Sequence, residues 1–188
     1  MPGLADMVRP WAGTAYRHIP AGSRWDVRDL RFAGRRGDGR WHRQGQPTVY
    51  LASDQRVAIG EFARHLALDR DGRIRAARRT VFSMRVALER TVDLREPAVV
   101  RLLGRDDAPA CWLEARICRA VASFLRDTLG IQGLVVPSVP YLDEAARFNV
   151  VCFLEHLPAD PRSFLTRVRQ RATVDVTPLT DDAAPGGA

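Results

Sequence analysis

Lysine is missing from this chain altogether: all 29 positive charges are arginines, set against 22 carboxylates for a formal net charge of +7. Such a bias reflects overall composition as much as any partner. A basic surface still attracts nucleic acid, an acidic protein or an anionic dinucleotide. The arginines run dispersed from Arg9 to Arg171 and form no single block, which weakens the nucleic-acid alternative. Cysteine is scarce too. Cys111, Cys118 and Cys152 are an odd set without CxxC spacing, which excludes a disulfide framework and a structural zinc site and leaves buried thiols. The four histidines, His18, His42, His65 and His156, have no metal-ligand spacing either, so surface or capping roles are expected for them and no metal is. There is no run of about 18 apolar residues, and the opening MPGLADMVRP lacks the basic and apolar segments of a signal peptide. The expected location is the cytoplasm.

What is present fits one globular unit. With 188 residues and 46% apolar side chains, the chain buries a sizeable core. Residues 14–19, TAYRHI, read as a strand stopped by Pro20 and Gly22. From Pro20 to Pro47 runs a long Gly-, Arg- and Asp-rich loop of the kind that carries function. It includes the triplet Arg36-Gly37-Asp38, too short to signify adhesion without a secretion signal. Thr48–Ala52 reads as a short strand, with Ser53 as N-cap of a helix beginning near Asp54. Ala58, Ile59, Phe62 and Leu66 form the apolar face of that helix. Glu61 falls about 110° from its centre, at the edge of a cleft and not inside the core.

Further on, Phe82–Leu88 alternates as a strand, Glu96-Pro97 opens a short helix ended by Gly104, and Trp112–Leu129 reads as a long helix capped by Gly130. Gly133–Pro137 and Phe148–Leu154 read as buried strands. Residues 158–170 suit a helix, Ala172–Val176 an edge strand, and 179–188 a disordered tail. The expected division is an extension over 1–12, one domain over 13–178, and that tail. No repeat or linker divides the chain.

One stretch concentrates chemistry: GRWHRQGQPTVYLASDQRVAIGE, Gly39 to Glu61. Arg40 offers a planar fork of donors that suits a pyrophosphate, Tyr50 a flat face for a ring, and Glu61 a carboxylate for positive charge developing on a sugar. Taken singly, each is ordinary: a solvated loop arginine, a strand tyrosine packed on the core, a solvated helix glutamate. Ser138 after Pro137 is by default a turn residue. With Arg17 and Ser138, they make the parts of a site for binding a dinucleotide and breaking its glycosidic bond.

The ordered set YRH (16–18), GRW (39–41), VYLA (49–52), Glu61 and GLVVPS (133–138) resembles the RES domain family, named for its arginine, glutamate and serine, over roughly Ala15 to Leu154. The resemblance implies an α+β fold like that of ADP-ribosyltransferases, with mixed β-sheets flanked by helices. It also implies a bacterial toxin encoded beside an Xre-type antitoxin. The implied substrate is NAD, with nicotinamide as leaving group and phosphate, water or a protein as acceptor of ADP-ribose. Carried over, Arg17 and Arg40 match the NAD-contacting arginines, Tyr50 the site aromatic, Glu61 the glutamate and Ser138 the serine. Two departures stand out. His42 replaces the asparagine common after GRW, and Trp112-Leu113 stand where some members place a serine. The rival readings are a catalytically silent module that binds NAD or a partner, and a basic nucleic-acid-binding protein.

Overall fold

The computed structural model describes residues 3–35, 37–68 and 76–179. Arg36 of the Arg-Gly-Asp triplet and the tail from residue 180 lie outside them. The described chain forms β1 (Arg9–Pro20), β2 (Thr48–Ala52), α1 (Gln55–Ala67), β3 (Ala77–Asp93), α2 (Pro97–Leu102), α3 (Ala115–Leu129), β4 (Gly133–Pro137), β5 (Phe148–Phe153) and β6 (Leu165–Val176), with short 3-10 turns between them. The sheet order is β1-β2-β5-β4-β3-β6, and β1 also pairs β3. All pairings are antiparallel except β3–β4.

Long β3 organises this topology. One edge carries β1 along most of its length. The other carries β6 as far as Val86 and then β4 from Thr91. β1 meets β2 at the Tyr16–Ala52 position, so two three-stranded halves, β1-β3-β6 and β2-β5-β4, join there and at the end of β3.

Period-2 alternation assigns the two faces of each strand. Ala15, Val49, Leu51, Met84, Val86, Val150 and Cys152 point between the halves and form one core. Val151, Phe153, Leu134 and Val136 point the other way, against Cys118, Ala122 and Leu125 of α3. All three thiols are buried and free. At Cys152, burial pushes the pKa up to about 12. No helix among the described residues is long and apolar enough to cross a membrane.

Four elements differ from the sequence reading. Residues 158–170 do not form a helix: after a 3-10 turn at Pro161–Ser163 the chain enters β6 at Leu165. The open edge of β3 supplies a ladder, and prolines at 158 and 161 disfavour a continuous helix. The first strand starts at Arg9, and Leu4, Met7 and Val8 pack on the α3-side core. The long helix begins only at Ala115, because Ala110–Leu113 is a separate 3-10 turn. Asp54, not Ser53, caps α1, accepting from Val57 N at 2.9 Å, while Ser53 Oγ accepts from Phe148 N.

Candidate functional site

Glu61 stands one turn beyond Val57 and Ala58 on the inner face of α1 and reaches the ends of β4 and β5. Its Oε1 accepts three hydrogen bonds: from Ser138 Oγ at 2.8 Å, Asn149 Nδ2 at 2.7 Å and Val139 N at 3.2 Å. No described residue bonds Oε2. Three donors on one oxygen fix the rotamer and leave the other oxygen to the cleft that Glu61 lines. That cleft encloses about 380 Å3, within the range of small-molecule sites.

The glycine-rich loop supplies the opposite wall. Arg40 Nη1 donates to the carbonyls of Trp112 and Leu113, both at 2.8 Å. The break before α3 makes this possible, since carbonyls in a continuous helix would serve its own amides. Nε and Nη2 remain to serve the cleft, and the Cys118 thiol donates to the same Trp112 carbonyl at 3.3 Å. Arg119 of α3 holds the same loop, donating to Gly39 O at 3.0 Å with Asp38 beside it.

Tyr50 stands behind this loop. Its oxygen accepts from Trp41 N at 2.9 Å and lies 2.8 Å from His42 Nδ1. Which of the two donates in the Tyr50–His42 bond follows the His42 tautomer, and the His42 carbonyl accepts from Gly39 N at 3.0 Å. Burial lifts the Tyr50 phenol well above its usual range and lowers the His42 pKa. A Cβ on Gly39 would come within 2.2 Å of the His42 ring and 2.7 Å of the Tyr50 hydroxyl. The first residue of GRW therefore has to be glycine for loop and strand to close together. His42 is 7% exposed and packs against Gly39 and Tyr50 behind the cleft lining, where the sequence suggested a surface or capping role.

The structure gathers Arg40, Tyr50 and Glu61 around one cleft. Ser138 is behind it, fully buried, with its proton spent on Glu61. Arg17 does not line it. On β1 it shares the face of Ala15, and its Nη1 donates to Val27 O in the long loop. Burial lowers its pKa, and the nearby Asp29 and Asp26 oppose that.

Three residues that sequence reasoning missed take part. Arg64 lines the cleft with no hydrogen bond to any described residue. Burial and Arg40 lower its pKa while Glu61 raises it. Its signal was the i,i+3 spacing from Glu61, which puts both on one helix face. Asn149 was the single polar residue in FNVVCF. Arg119 carried no signal beyond its place on α3.

Arg40, Arg64 and Arg119 outweigh Asp38 and Glu61 in this cleft, so an anion is favoured in it. A fixed carboxylate beside three guanidiniums suits a substrate with a phosphate-rich body and a reaction that develops positive charge at one carbon.

Comparison with known proteins agrees in fold. No curated protein matches the chain significantly. Among solved structures, the chain is similar to the toxin of the MbcT–MbcA toxin-antitoxin complex of M. tuberculosis, at 18% identity and a TM-score of 0.56, covering 95% of this chain and 94% of that one. A mixed α/β domain with this six-stranded sheet is consistent with an ADP-ribosyltransferase-like fold. A family model described as the RES domain matches residues 10–183, and the chain belongs to the RES domain family.

Proposed function

We propose that this protein is the toxin of a toxin-antitoxin pair and consumes NAD by cleaving the bond between nicotinamide and ribose. One observation carries the reading: Glu61 is held by three donors on Oε1, and its other oxygen is left to a cleft that Arg40, Arg64 and Arg119 make positive. The C1–N bond of NAD breaks with both electrons going to the pyridinium nitrogen, so nicotinamide departs neutral and needs no general acid. Ribose C1 acquires oxocarbenium character, and a preorganised carboxylate stabilises it. The acceptor, whether phosphate, water or a protein side chain, then attacks C1 and gives up its proton if it carries one. Arg64 and Arg40 hold the pyrophosphate through charge-assisted bonds. Tyr50 borders the ribose end, with its hydroxyl committed to Trp41 and His42. Ser138 and Asn149 position Glu61. Membership of the RES domain family and the fold shared with a toxin support the role of toxin, with an Xre-type antitoxin as partner.

The experiment is nicotinamide release from NAD by purified protein, with and without inorganic phosphate, alongside Arg40→Ala and Glu61→Gln. Release that requires phosphate identifies a phosphorylase. Release without it identifies a hydrolase or a transferase. No release from wild type, with heat stability still raised by NAD, would make the protein a binding module and sink the enzymatic reading.

A further inference from the structure

α3 carries two apolar rows where a surface helix needs one. Cys118, Ala122 and Leu125 face the sheet and are buried. Ile117, Val121 and Phe124, at i, i+4 and i+7, face outward toward α2 and line a groove of about 570 Å3 with Leu102, Leu103 and Leu4. Phe124 is 48% and Leu102 41% exposed. The charged residues that line this groove are both arginines, Arg105 and Arg116. Neither forms an ion pair among the described residues.

We propose that this groove docks an acidic amphipathic helix of the antitoxin, an inference that rests on the toxin reading above. The channel between two helices takes the apolar ridge of a third, anchored at i, i+3/i+4 and i+7. A neutral ridge would bury Arg105 and Arg116 without counter-charge, whereas Asp or Glu flanking the ridge satisfies both. The groove also backs onto the site. Ala115 and Arg119 of α3 line the cleft, so the docked helix lies about one helix diameter, ~10 Å, from the cleft wall.

The test co-expresses the chain with the product of the adjacent reading frame and measures the dissociation constant for wild type, Phe124→Arg, the double variant Arg105→Glu/Arg116→Glu, and Glu61→Gln as control. Circular dichroism confirms that each is folded. Both groove variants should bind at least tenfold more weakly, while Glu61→Gln binds as wild type and free Phe124→Arg keeps the wild-type rate of nicotinamide release. Amide exchange should slow on binding at residues 102–105 and 116–124. Folded groove variants that bind normally, or protection confined to other segments, overturn the proposal. So does a concentration-dependent dimer of the free chain that Phe124→Arg abolishes, since the occupant would then be a second copy. If the adjacent product does not bind but nicotinamide is released, the docking proposal falls and the enzymatic reading stands. If neither is seen, both fall.

Discussion

Ser138 donates its hydroxyl to Glu61 Oε1 at 2.8 Å from a position with no exposed surface. On the proposed reading, a serine so placed acts through the carboxylate it holds and not on substrate. Ser138→Ala should therefore lower kcat for nicotinamide release about tenfold with KM for NAD nearly unchanged, as for loss of one hydrogen bond to a charged group. Glu61→Gln should cost about 10² to 10³ in rate. Asn149→Asp, which sets a second carboxylate against Glu61, should be more damaging than Asn149→Ala. A raised KM with unchanged kcat in Ser138→Ala would show that the serine serves substrate after all.

Arg64 and Arg17 should separate in the same assay. Arg64 lines the cleft with its donors uncommitted, whereas Arg17 is tied to the Val27 carbonyl. Arg64→Ala should raise KM for NAD about tenfold or more while leaving the folding midpoint in place, since charge-assisted bonds to phosphate are lost. Arg17→Ala should lower the midpoint and leave KM near wild type. Steady-state kinetics and urea titration of the two variants decide it; a KM effect confined to Arg17 would reverse the assignment.

The split between what the sequence revealed and what it hid follows the range of the interactions. Local signals worked where structure is local: alternation in Phe82–Leu88, Pro97 opening α2, and Gly130 closing α3 in the left-handed conformation at φ 56°. The Arg40, Tyr50 and Glu61 set was legible because these residues sit on one loop-strand-helix passage. Arg17 was assigned to NAD through the family resemblance, yet the pleat of β1 sets it on the face of Ala15 and it does not line the cleft. Its neighbours Tyr16 and His18 face α1, Tyr16 packing with Val57 and Ala58 and His18 against Phe62. Asn149 reaches Glu61 across 88 positions, and no local pattern encodes that distance. The 158–170 segment failed for a related reason, because the edge of β3 that it pairs with lies about 80 residues earlier.

Arg126 and Glu155 make a second long-range pair that bears on stability alone. Arg126 is 3% exposed, donates to both Glu155 oxygens, and lies 4.3 Å from the centre of the Phe153 ring. Removing the carboxylate strands a buried guanidinium. Because Glu155 keeps 35% of its exposure, the expected cost of Glu155→Leu is about 2–3 kcal/mol, below the full penalty for a sealed pair. The double variant Arg126→Leu/Glu155→Leu should recover part of that loss. Urea denaturation of the four proteins in the cycle checks this, and strictly additive losses would mean the pair is not coupled.

His18 sets a pH dependence of known sign. It lies against Phe62, with ring centroids 4.8 Å apart, and its Nδ1 accepts from Arg79 Nε at 3.0 Å. Burial, and then the positive charges of Arg79 and Arg17, lower its pKa to about 3. In the unfolded chain the value returns to about 6.5. Between these values the unfolded state binds a proton that the folded state refuses. The contribution of His18 is thus complete above about pH 6.5 and is lost as pH falls toward 3, at up to about 1.4 kcal/mol per pH unit. His18→Gln keeps an acceptor for Arg79 and removes the titration. Its folding stability between pH 6.5 and 4.5 should therefore fall less steeply than wild type by about that slope, the carboxylates common to both proteins cancelling in the difference. Parallel curves for the two proteins would mean that His18 titrates normally in the folded state.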